Sequence, residues 1–119
     1  MTYKVEIPMK LPSLNTYINE CRKNRFAGAK FKNDLEKDIQ LFLVSLPKIE
    51  KPIKIEFEWV EENKKRDIDN LSFSKKFILD AMVKCGVISN DNRKHVTSFT
   101  DTFSYGAQAK VILTIIEEE

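Results

Sequence analysis

Residues 53–85 read IKIEFEWVEENKKRDIDNLSFSKKFILDAMVKC, and the fold turns on this stretch. Its first eight residues alternate, Ile53, Ile55, Phe57 and Trp59 against Lys54, Glu56 and Glu58. That is the period of a strand with one buried face, so Phe57 and Trp59 read as core rather than as a stacking platform. A polar run, EENKKRDIDN, breaks the alternation over 61–70. From Leu71 to Cys85 the spacing becomes helical: Leu71, Ser74, Phe77, Ile78, Ala81, Met82 and Cys85 share one arc, with Phe73, Lys76, Asp80 and Lys84 opposite. Gly86 stands where a helix-ending glycine belongs.

Working outward, residues 3–8 alternate as a strand, and Pro8 and Pro12 prevent it from continuing. The segment 9–30 shows no sustained period, and Asn15, Asn19, Asn24 and Gly28 mark it as loop. A helix is expected from Asn33, its N-cap, to Pro47, with Leu35, Ile39, Phe42, Leu43 and Leu46 on one face. After the second helix a turn at 89–92 leads to strands near 94–103 and over 109–116. The order is β-α-β-α-β-β. This order implies an α+β architecture, two helices packed on a mixed four-stranded sheet, with residues 1–119 as one domain.

Only three Gly and four Pro exclude collagen-like or low-complexity chains. Cys21, Cys85 and the single His95 cannot supply a disulfide framework or a usual zinc site. No apolar run is long enough to span a bilayer and no signal-peptide core is seen, so a cytoplasmic protein with no membrane partner is expected. P-loop, zincin, serine-hydrolase and CxxC motifs are missing. The formal charge is +2, but without the three terminal glutamates residues 1–116 carry +5. Arg22, Lys23, Arg25, Lys30 and Lys32 form one acid-free cluster and Lys64, Lys65 and Arg66 another. Such clusters suit a phosphate backbone, though solvated loops often look the same.

Three carboxylates stand apart: Asp67 and Asp69 before the second helix, and Asp91 on the turn after it. The intervening helix is about 22 Å long at ~1.5 Å per residue. The acids therefore meet only if the 67–69 segment runs alongside the start of the next strand. If they meet, their mutual repulsion calls for a hard divalent cation, Mg²⁺ above all. The plainer readings are that Asp69 or Asn70 caps the helix, that 90–92 is an ordinary turn and that Lys76–Asp80 is a surface i,i+4 pair. His95 has no partner that the sequence names.

Arg66-Asp67-Ile68-Asp69-Asn70, the helical Lys76-Phe77-Ile78-Leu79-Asp80-Ala81-Met82, and Asp91 eleven residues beyond Asp80 resemble the core of the RusA family of Holliday-junction resolvases. Pro12-Ser13-Leu14-Asn15 resembles that family's opening before its basic segment. The resemblance implies a homodimeric, Mg²⁺-dependent endonuclease that nicks opposing strands of four-way DNA junctions in recombination and repair. It implies Asp67, Asp69 and Asp91 as metal-binding catalytic carboxylates and Lys76 as the lysine at the scissile phosphate. The chain departs from the pattern twice. Phe73 stands where many members have the lysine, which leaves Lys75 or Lys65 as substitutes for Lys76, and Asn90 replaces the first acid of an Asp-Asp pair. These departures also keep open a junction-binding module of the same fold without catalysis. Independently of the family, paired cuts on a two-fold symmetric junction need two sites related by a two-fold axis, hence a C2 dimer. The basic segment 22–32 is expected to be a mobile loop that reaches along the DNA arms.

Overall fold

The alternating segments pair because each has one apolar edge to hide. β1 (Thr2–Ile7), β2 (Ile53–Glu61), β3 (Val96–Tyr105) and β4 (Lys110–Glu117) form one sheet in the order β1-β4-β2-β3. The structure, a computed structural model, describes residues 1–118. β4 lies antiparallel between β1 and β2, and β3 adds to β2 in parallel, so the sheet is mixed as expected. Ile53, Ile55, Phe57 and Trp59 are buried, together with Val5, Ile7, Val111, Leu113 and Ile115. The other face shows Lys4, Glu6, Lys54 and Glu56 to solvent.

Four helical segments cover the apolar face: α1 (Leu14–Lys23), α2 (Arg25–Leu43), α3 (Ile68–Ser72) and α4 (Lys75–Lys84). The α+β class holds, but the boundaries differ from the expected ones. The segment 9–30 is not a loop, because α1 and the start of α2 occupy most of it. Its turn-like residues serve as helix hardware. Ser13 caps α1, accepting the Thr16 N–H at 3.3 Å, and Asn24 caps α2, accepting the Phe26 and Ala27 N–H groups at 2.9 Å. Asn33 is thus inside α2 rather than its cap. The helix expected over 71–85 starts earlier, breaks at Phe73–Ser74 and resumes as α4, where the buried Ser74 hydroxyl donates to the Pro12 carbonyl. Gly86 closes α4 at φ +82°, with the Val87 N–H bonded to the Met82 carbonyl at 2.9 Å and the Gly86 N–H to that of Val83 at 3.2 Å.

Gly28 lets α1 and α2 close on each other. A Cβ there would lie 2.6 Å from Cys21 Sγ and 3.1 Å from Cys21 Cα. The sulfur can rotate; the backbone cannot. Gly28→Ala is expected to lower stability by roughly 1–2 kcal/mol despite the better helix propensity of alanine. A lower thermal midpoint, partly restored by adding Cys21→Ala, is the check; an unchanged midpoint would refute the close approach.

Candidate active site

Two segments far apart in sequence meet beside α3. Arg66 holds them together: its Nε donates to Glu61 Oε1 at 2.6 Å and its Nη1 to the Leu11 carbonyl at 2.6 Å. Ser74 holds the neighbouring Pro12 carbonyl, so the backbone leading into α1 is clamped from two sides. The result is a cleft of about 140 Å³ lined by Ser13, Asn15, Lys65, Arg66, Asp67 and Asn70. That is below the ~300 Å³ at which small-molecule pockets begin, and it suits a phosphate group better than a metabolite. A larger hollow of about 420 Å³ lies by the β3–β4 turn, but its only charged residues, Glu6 and Lys110, pair with each other.

Asp67, rather than Asp69 or Asn70, occupies the N-cap position of α3, and its side chain makes no capping hydrogen bond. Asp69 sits in the first turn, where Oδ1 accepts the Asn70 N–H at 2.9 Å. Both carboxylates are exposed, and neither is ion-paired among the described residues. Arg66 Nη2 is buried with no hydrogen-bond partner among the described residues.

Asp91 does not join this pair. Among the described residues no group of three or more Asp, Glu, His or Cys side chains is close enough to hold an ion. Topology supplies the reason. β2 and β3 are parallel and α3–α4 is the crossover between them. The segment entering the crossover, with Asp67 and Asp69, lies at the C-terminal end of β2. The turn leaving it, with Asp91, lies at the N-terminal end of β3, where Val96 pairs with Ile53. The expected convergence within one protomer is thereby corrected, and the three acids of one chain do not fit a shared cation. His95 ties that turn together, with Nδ1 2.8 Å from Asn92 Oδ1 and Nε2 2.9 Å from Ser89 Oγ.

The lysines separate by direction. Lys75 turns inward, pairs with Asp101 and lies over the rings of Phe57 at 5.6 Å and Phe99 at 5.1 Å. Asp101 also accepts the Trp59 Nε1–H at 2.9 Å. Lys76 points outward, its side chain 58% exposed and its ammonium 3.6 Å from Asp80. On the α2 side Lys32 reaches Asp80 at 3.0 Å, and that hydrogen bond raises the lysine pKa above its ordinary value against the opposing effect of burial. Glu36, fully buried, pairs with Lys84. The Asp101 anchor was missed by the alternation, although a lone acid among Thr, Ser and Phe on a strand is a visible signal.

This arrangement has a counterpart in sequence space. The model of the RusA endodeoxyribonuclease family matches residues 4–116. The chain belongs to that family. The family is one of endodeoxyribonucleases. No curated protein matches the chain.

For a RusA chain, the placement of the basic residues then matters. Segment 22–32 is helical, correcting the mobile-loop expectation: Arg22 and Lys23 end α1, and Arg25, Lys30 and Lys32 lie on α2. Lys23 pairs with Glu20 at 2.9 Å and Lys30 with Asp34 at 2.7 Å. Lys65 lines the cleft and Lys64 lies 5.5 Å over the Tyr105 ring. Lys32 and Arg66 are drawn into internal pairs. Among the described residues no helix is long and apolar enough to cross a membrane.

Proposed function

We propose that this RusA chain is a homodimeric, Mg²⁺-dependent endonuclease that resolves four-way DNA junctions by paired nicks on opposing strands. The observation that carries the reading is the cleft itself. It is small and polar, with Asp67, whose carboxylate caps nothing, beside Lys65 and Arg66 around one phosphate-sized space, and Asp69 follows in the first turn of α3. Lys65 binds and orients the phosphodiester, Arg66 fixes the backbone beside it, and Lys76, on the helix that continues from the same segment, meets the negative charge that develops as the bond breaks.

The separated acids favour a dimer for a second reason. β3 is an edge strand whose outer N–H and C=O groups take no partner among the described residues. Antiparallel pairing of two such edges would set the Asp91 end of one protomer beside the Asp67–Asp69 end of the other. All-oxygen donors of this kind suit Mg²⁺, and a cation held there would polarise the scissile phosphoryl group.

The same separation also favours a second reading, a junction-binding module without cleavage. One gel decides. A synthetic four-way junction incubated with Mg²⁺ should give two symmetric nicks, and none when EDTA replaces the metal. Binding without product at any Mg²⁺ concentration would establish the inactive module, and no binding at low salt would overturn both.

A further inference from the structure

Phe26 is 69% exposed, more than Phe99 or Tyr105. It stands at the corner between α1 and α2, with the Arg25 guanidinium 4.8 Å from its ring centroid. The corner is built rigidly. Asn24 accepts both the Phe26 and the Ala27 N–H groups, and Gly28 is pressed against Cys21, so the backbone that carries the ring outward is fixed. Because Asn24 already satisfies those amides, the helix start is not itself an anion site. Residues 21–33 contain no acid. Lys23 and Lys30 are paired within their helices, which leaves Arg22 and Arg25 without an ion pair among the described residues.

An aromatic ring held out in water by a cationic corner fits a particular partner. The charge selects phosphates. The ring needs an apolar face, and in continuous duplex the base faces are hidden in the stack. At a branch point the stack is interrupted and faces open. Distance agrees: α1 leads from Ser13 and Asn15 at the cleft to this corner, and ten residues at ~1.5 Å span about 15 Å, roughly four base steps at ~3.4 Å. Resting on the junction-endonuclease reading above, we infer that Phe26 is a wedge that stacks on the opened bases at a junction's branch point, with Arg22 and Arg25 holding the flanking phosphates.

The test compares the full chain with Phe26→Ala and Phe26→Trp on a four-way junction and on linear duplex of matching sequence, at one salt concentration. Phe26→Ala should bind the junction about ten-fold more weakly, on the scale of one lost base–aromatic stack, and bind duplex unchanged. Phe26→Trp should retain junction affinity, and its indole emission should be quenched by junction and not by duplex. Equal loss on both substrates, or no loss on either, overturns the wedge while leaving the junction reading in place. A fall in sedimentation coefficient for Phe26→Ala also overturns it, because the ring then belongs to a protomer contact. If the parent chain itself shows no preference for the junction, both readings fail together.

Discussion

Asp69→Asn is expected to bind a four-way junction at least as tightly as the parent chain while its cleavage falls by about 10³-fold or more. Both halves follow from where the carboxylate stands. Asp69 is exposed in the first turn of α3 and its one contact is with the next backbone N–H. Asparagine keeps the shape and the Oδ1 acceptor, so that contact survives and the fold has no reason to change. What disappears is a negative charge in the first turn of α3, next to the cleft proposed to hold the phosphodiester. Repulsion of DNA drops, and binding is maintained or improved. The same charge is half of the acidic pair beside the Arg66 and Lys65 cleft. Removing one stabilising donor typically costs 10²–10³ in rate, and removing a charged member of a catalytic pair should cost no less. Binding by gel shift and nicking by denaturing gel, run on the same preparation, separate the two effects. Nicking at the parental rate by Asp69→Asn would refute the assignment. Loss of binding together with cleavage would mean that the acid is structural.

How much of this was legible in the sequence differs by element. The β2 alternation and the apolar arc of α4 were plain because each has a strict period and a single buried face; Phe57, Trp59, Phe77, Ile78 and Met82 are buried as read. The α1–α2 pair was hidden by its own hardware. Asn24 and Gly28 look like loop residues, yet one caps a helix and the other permits a helix contact. Leu14, Tyr17, Ile18 and Cys21 already carried a helical spacing beneath them. The acidic pair and the basic residues around it were visible as a motif. The distance from Asp91 was not, because it depends on β3 joining β2 in parallel, and strand direction leaves no mark on a local pattern. The helical arc put Lys76 outward, but it did not say that Lys75 turns in to Asp101, so which of the two adjacent lysines does the work stayed ambiguous.

That last ambiguity is resolved by direction and is open to a decisive pair of variants. Lys76→Ala should reduce cleavage by at least an order of magnitude, and by up to about 10³-fold if the amine meets the developing charge directly. Its thermal midpoint should scarcely move, because Lys76 is mostly exposed and its one pairing, with Asp80 at 3.6 Å, is of the weak surface kind. Asp80 keeps Lys32 at 3.0 Å when Lys76 is gone, so no carboxylate is stranded. Lys75→Ala should behave in the opposite way. It removes the cation from Asp101, whose other contact, the Trp59 N–H, cannot neutralise it, and it takes the ammonium from over the rings of Phe57 and Phe99. Both partners remain about a quarter exposed or less, which limits the loss to roughly 1–3 kcal/mol, or about 4 °C of midpoint for each kcal/mol. Below its lowered midpoint Lys75→Ala should still cut. If it abolishes cleavage without changing the midpoint, and Lys76→Ala cuts normally, then the inward lysine is the working one, and α4 must turn on its axis when DNA binds.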